Sequence, residues 1–362
     1  MCYFLIDAQP GSFTDRFLAD PRLTPEMRAT LKASLGLDQP TYQRYFTWLI
    51  NVFKGDFGIS FSNYPRPVLD VIAERAPRTI ALFLSSTILA YLIGFMSGKA
   101  LAWQRGGVKE CGVTIGGVFL YTVFLPWFAL IMIFVFAYKL GWFPLGKFLN
   151  PVLWQGAPVN ANYVFTRMII TVAIVFILVV VVFIVARRLD PHRRGPVRLF
   201  GTLLVLVGWV IFWLSSGVAT YMWDILHHMV LPIATLAIVN FAGTMLLTRN
   251  SMLETLREDY VMAARSKGLP ESMVRDKHAS RNALLPVVTS FVLAVAFILD
   301  GGVITETTFS WPGMGLTLLQ AALVKDIPMV IGALVFTGII ALTAHLVADI
   351  MYAFLDPRIR YS

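Results

Sequence analysis

The chain is short of cysteine and of charge, and it has no phosphate-binding loop. Each shortage closes off a class of proteins. Two cysteines, Cys2 and Cys111, in 362 residues cannot make the framework of a disulfide-stapled secreted fold. Charged residues are only 14% of the chain against 57% hydrophobic, far from the balance of an ordinary soluble domain. The nearest approach to a Walker loop, G-F-M-S-G-K at 94–99, has the wrong spacing and lies inside an apolar run. The chain therefore does not hydrolyse ATP by itself.

What is present in abundance is apolar sequence. Runs at 79–103, 113–138, 164–186, 198–217, 229–248, 284–304 and 328–354 each exceed the roughly 18 residues a spanning helix needs. Membrane-barrel strands alternate and give a much weaker pattern. These runs predict an all-α, polytopic helical membrane protein. The segment 187–198, R-R-L-D-P-H-R-R-G-P-V-R, carries five arginines and one aspartate, which puts it on the cytoplasmic side. Alternation then places 104–112, 249–283 and the C-terminal tail with Arg358 and Arg360 inside as well. The outer loops 139–163, 218–228 and 305–327 are much poorer in basic residues. The net charge of +9 follows from this bias and gives no argument for nucleic acid. Cys2 and Cys111 fall on opposite sides, so neither a disulfide nor a metal site is expected.

The most informative polar stretch is D-Y-V-M-A-A-R-S-K-G-L-P, 259–270, followed by R-N-A-L-L-P at 281–286. Tyr260, Ala263, Ala264 and Lys267 fall at i, i+3, i+4 and i+7, one face of a helix. Gly268 supplies a C′-type stop and Pro270 forbids continuation. A short helix with a small-residue face can dock into a groove on another protein. The spacing is equally that of a solvated cytoplasmic loop.

Residues 1–6 read as the end of a membrane helix whose beginning is absent, the expectation being a start assigned too far downstream. Residues 7–78 follow as a polar, turn-rich segment with eight acids and nine bases. Within it 24–35 and 40–54 have amphipathic helical spacing, the second through Tyr42, Tyr45, Phe46, Leu49 and Phe53. The segment reads as a small external subdomain touching a partner or roofing a pore, or simply as a packed external loop.

Four strings occur here in one order: L-G-L-D-Q-P…Y-Q-R-Y-F…G-D-F-G-I-S (35–60), the 259–286 stretch, T-E-T-T-F-S-W-P-G-M-G (305–315) and D-P-R-I-R (356–360). Together they resemble the B-type membrane subunit of the dipeptide/oligopeptide ABC importers, over nearly the whole chain except 1–6 and 140–225. The resemblance implies a type I-like ABC importer permease fold in the inner membrane of a prokaryote. Its implied partners are a C-type permease, two cytoplasmic ATPase subunits that bind the ATP, and an external solute-binding protein that delivers peptide. The chain itself would be non-catalytic and carry no cofactor. The 259–270 helix is similar to the family's coupling helix, with Tyr260, Ala263, Ala264, Arg265, Lys267 and Gly268 as its residues. Ala263 and Ala264 would be small so that the helix can seat, and Gly268 would turn the chain away. The sequence departs from the general pattern at Met262, where many permeases have glutamate, and in a longer gap before Leu285-Pro286. The resemblance divides the chain into 1–78, a truncated first span with an external subdomain, and a transmembrane domain over 79–362. Within the latter, 164–217 would be an inserted hairpin, β-branched and uniformly apolar in its first arm, suited to lipid contact.

Asp300, in F-I-L-D-G-G, would line the pathway and meet the amino end of a peptide, or else sit in the headgroup zone or pair with a neighbouring helix. His345 and Asp349 are four apart and read as structural anchors. The adjacent His227 and His228 point to different helix faces, against a metal site. Trp311-Pro312-Gly313 reads as an outside turn with its tryptophan at the membrane interface. A different class, a proton-coupled secondary transporter using Asp300 or Asp349, would show an inverted repeat, and no convincing repeat is present. A membrane scaffold or receptor subunit would have no substrate path.

Overall fold

The computed structural model describes residues 26, 39–103, 107–296, 298 and 302–355. The readings at 1–6, most of 24–35, Cys2, Arg105, Asp300, Arg358 and Arg360 lie outside the described residues, as does the side chain of Asp349. Among the described residues the fold is helical, with one isolated antiparallel bridge between Ile59 and Pro67. Five helices are long and apolar enough to cross a membrane, and a sixth span arises if one sharply bent pair is counted together.

In chain order the helices are α1 (Thr41–Phe53), α2 (Val68–Trp103), α3 (Val108–Thr122) and α4 (Leu125–Met132), the last continuing as a π-helix over Ile133–Lys139. Next come α5 (Ala161–Arg187), α6 (Pro191–Ser215), α7 (Ala219–Thr255) and the short α8 (Asp259–Ser266). A turn at Glu271–Met273 and a π-helix at Val274–Ala279 lead into α9 (Ser280–Ala296). The chain closes with α10 (Val303–Thr308), α11 (Met314–Val324) and α12 (Ile327–Leu355).

Several predicted spans change shape. The run at 113–138 is not one straight helix: it breaks at Val123, which is extended, and the two arms diverge by 106°. Pro126 supplies the reason, because its ring meets the carbonyl of residue i−4, here Thr122, and it has no N–H to give. The run at 284–304 divides into α9 and α10. The run at 79–103 begins eleven residues earlier, at Val68. The basic stretch 187–198 is mostly helix, since α6 starts at Pro191, the first helical position where proline's fixed φ is an advantage.

The chain divides into two units, one of residues 1–132 with 232–362 and one of residues 133–231. In the first, α2 seats on α7 at a close approach. A Cβ added to Gly94 would lie 2.7 Å from the Phe241 carbonyl oxygen, and one added to Gly98 would lie 2.4 Å from that of Met245. The G-F-M-S-G string is therefore a helix-packing motif with small residues four apart, as in other membrane helix pairs. Tyr91 and Ser290 share a 2.8 Å hydrogen bond between α2 and α9. At the other end of α2, Val68, Val71, Ile72 and Ala76 pack with Phe57, Met314, Met329 and Val330 in a buried apolar cluster.

In the second unit α5 and α6 form the hairpin expected at 164–217. Trp213 is buried between them, donates to Thr171 Oγ1 at 3.3 Å, and has the Arg167 guanidinium 5.4 Å from its ring centroid. Outside that seam the hairpin shows its apolar side chains: Phe176 is 69% and Leu204 75% exposed. His227 and His228 contact different carbonyls, Trp142 and Asp224 respectively.

Candidate functional site

The loop after α7 builds a compact element from its own side chains. α8 spans Asp259–Ser266 and ends where the Lys267 N–H donates to the Ala263 carbonyl and the Gly268 N–H to that of Arg265. Gly268 then adopts φ +74°, the left-handed conformation that costs an L-residue about 1–2 kcal/mol. Pro270 starts the next turn. Val261 and Ala264 point inward and join Val274 in a small buried cluster, flanked by Leu256 and Leu269. The burial of Val261 alone supplies about 1.5–3 kcal/mol. Tyr260, a member of the predicted face, receives a 2.7 Å hydrogen bond from Asn282 Nδ2 at the start of α9.

This geometry refines the predicted face. Tyr260, Ala263 and Lys267 are exposed, whereas Ala264 is buried against its own chain. Ala264 must be small for an internal reason: a larger side chain would push α8 off Val274. Met262, half exposed, shares the free surface with Tyr260, Ala263, Ser266 and Lys267. The surface thus combines a thioether, a methyl group, a phenol ring and one cation, able to enter a mixed apolar and acidic groove.

Charges and one ring tie the segment to neighbouring helices. Arg265 lies 3.5 Å from Glu271. Arg275 donates to Asp276 through both Nε and Nη2, at 2.8 and 2.9 Å, and Lys99 of α2 approaches the same carboxylate at 3.2 Å. The Arg275 hydrogen bonds come first in holding the Asp276 carboxyl down at about 2, with Lys99 assisting. The guanidiniums of Arg265 and Arg275 stand 5.8 and 5.7 Å from the Trp103 ring centroid. Deeper in, Arg249 donates from Nε to Glu110 at 2.9 Å, joining α7 to α3. Neither Trp103 nor Glu110 was singled out in the sequence, because each meets partners more than 130 residues away.

The T-E-T-T-F-S-W-P-G-M-G string forms a second built site. Glu306 is fully buried, accepts from Thr79 Oγ1 at 2.6 Å and from the Leu316 backbone N–H at 2.9 Å. Burial raises its carboxyl above the ordinary value, and these donors oppose the rise. Thr79 in turn accepts from the Met314 N–H at 2.8 Å. The glycines of the string make room for this knot: a Cβ on Gly313 would sit 2.2 Å from Glu306 Oε1, and one on Gly315 would sit 2.5 Å from the Val303 nitrogen. The predicted turn at Trp311-Pro312-Gly313 is present, but its tryptophan does not lie at an interface. Trp311 is 0% exposed and donates to the Arg78 carbonyl at 3.3 Å. A large ring with one N–H donor is as well satisfied in a core carrying a matching carbonyl as at a headgroup boundary. Nearby, Asp326 accepts from Ser60 Oγ at 2.6 Å and from the Ser62 N–H at 2.8 Å, fastening the 56–67 segment to the start of α12.

Among the described residues no group of three or more His, Cys, Asp or Glu could hold a metal ion. Comparison with known proteins gives the arrangement its context. The family described as "binding-protein-dependent transport system inner membrane component" matches residues 192–361. The oligopeptide transport system permease protein AppB of Bacillus subtilis is 30% identical over 361 residues, covering 100% of this chain and 93% of the relative. The di/tripeptide transport system permease protein DppB of Pseudomonas aeruginosa is 30% identical over 362 residues, covering 100% and 94%. With a helical membrane fold, a small docking-size helix between long apolar ones, and full-length similarity to transport permeases, the chain belongs to the binding-protein-dependent transport system inner membrane components.

Proposed function

We propose that the chain is a B-type permease subunit of an ATP-driven importer of peptides. It pairs with a C-type permease to form the pathway, receives peptide from an external solute-binding protein, and couples to two cytoplasmic ATPase subunits. The observation that carries the peptide class is the 30% identity over the full chain to relatives named for oligopeptide and di/tripeptide transport. The coupling role of α8 is supported by its exposed Tyr260, Ala263 and Lys267 and by the left-handed stop at Gly268. Arginine bias supports an orientation with 249–283 and the C-terminus in the cytoplasm of a prokaryotic cell. The subunit itself is non-catalytic and holds no cofactor, the ATP being bound by its partners. Asp300 remains the proposed pathway residue. Membrane lipid covers the apolar flanks, and nucleic acid is not a partner.

Reconstituted vesicles carrying the complete complex test this reading. Peptide uptake should require ATP on the ATPase side and the binding protein on the other. Uptake driven by a pH gradient alone would replace the reading with the proton-coupled one. In the same assay Gly268→Val should insert normally yet lose ATP-driven uptake. The substitution meets open space, so its effect comes from backbone conformation alone. Normal uptake by that variant would remove α8 as the coupling element.

A further inference from the structure

The coupling reading leaves open how a displacement of α8 reaches the helices that open and close. The side chains around Trp103 supply a route. Trp103 ends α2. Two guanidiniums from different parts of the 259–279 segment stand over its one ring: Arg265 from α8 at 5.8 Å and Arg275 from the π-helix at 5.7 Å. One turn earlier on α2, Lys99 meets Asp276 at 3.2 Å, and Asp276 is the carboxylate that holds Arg275 in place. The end of α2 is thus gripped at two successive turns, once through a ring face and once through an ion pair. Directly beyond the grip, Gly98 and Gly94 seat α2 against the α7 backbone with no space for a side chain. Trp103 thus stands between the α8 segment and the tightly packed α2–α7 seam.

We infer that Trp103 is a positioning residue for coupling: its indole face carries displacement of the α8 segment into the α2–α7 pair, so that ATP turnover and substrate passage stay linked. The inference rests on the permease reading above. An indole suits this task because its flat face holds two cations without fixing their distance, unlike a pair of salt bridges, and so tolerates motion while transmitting it.

The test is the ratio of peptide taken up to ATP hydrolysed, measured on the full complex with binding protein present. Trp103→Ala should keep ATP hydrolysis near the wild-type rate while the ratio falls by about fivefold or more, the lower end of an allosteric coupling factor. Trp103→Phe, which keeps an aromatic face, should restore most of the ratio. A wild-type ratio in Trp103→Ala, or equal impairment in Trp103→Ala and Trp103→Phe, overturns the inference. If Trp103→Ala does not assemble, Arg275→Lys takes its place. It keeps the charge facing Asp276 and loses the planar stack. A lowered ratio supports the role, and an unchanged one overturns it. Wild-type uptake that needs no ATP would instead sink the permease reading, a result separable from these because it appears without any substitution.

Discussion

The α5–α6 hairpin and the Glu306 knot are opposite ways of using sequence. The most apolar window of α5 is only 6% buried within the chain, against 44% for that of α7. Its side chains are largely interchangeable hydrocarbon, and what they specify is apolarity rather than any one partner within the chain. The knot is specified atom by atom: one carboxylate, one threonine, two backbone N–H groups and two glycines, Gly313 and Gly315, whose added Cβ atoms would clash. Hydrophobicity decides where a segment goes, and buried polar geometry decides which single shape it takes. Substitutions in the two regions should therefore differ sharply in cost.

The largest effect is expected at the carboxylate. Glu306→Ala leaves the Leu316 N–H and Thr79 without their acceptor, at roughly 1–3 kcal/mol for each buried group orphaned. Thermal unfolding in detergent should show it, and a change no larger than that of a hairpin substitution would break the comparison. Gly98→Val, at the α2–α7 seam, should cost about 1–3 kcal/mol through overpacking, read in the same way. If the α7 backbone can yield there, the cost will vanish and the seam is softer than its 2.4 Å approach implies.

A smaller effect comes from pH. Burial raises the Glu306 carboxyl in the folded protein, so the native state holds its proton where the unfolded chain has lost it. Stability should consequently fall as pH rises from the ordinary carboxylate value through the raised native one. Glu306→Gln should flatten that slope in a series of unfolding midpoints, and an unaltered slope would assign it to another group. The smallest effect is expected in the hairpin. Phe176→Ala, at a 69% exposed position, should shift stability in detergent by no more than about 0.5 kcal/mol. A loss of several times that would mean the hairpin is clamped by something besides lipid.

How much could be read beforehand follows the same division. α8 and its stop were legible because helical spacing, Gly268 and Pro270 are all local signals. The hairpin was legible because uniform apolarity needs no partner to be understood. The break at Val123 had one available signal, Pro126, which the length of the apolar run concealed. Trp311 and Glu306 were not legible, since the groups that satisfy them, Arg78 and Thr79, lie more than 220 residues earlier in the chain. The G-F-M-S-G string resembles a nucleotide motif only superficially, while its helical period of four marks a packing surface. The burial of Ala264 against Val274 was not legible, because spacing alone cannot tell the two sides of a narrow face apart.

The π-helix at Val274–Ala279 has one further consequence, best put in terms of phase. Such a turn holds one residue more than an α-helical turn, and each residue of an α-helix advances by about 100°. Removing a single residue there would leave an unbroken helix but rotate Val274, and α8 seated on it, by about that angle relative to α9. Tyr260 would leave Asn282, and Arg265 would swing away from Trp103. The direction in which α8 faces is thus held by one residue's worth of winding.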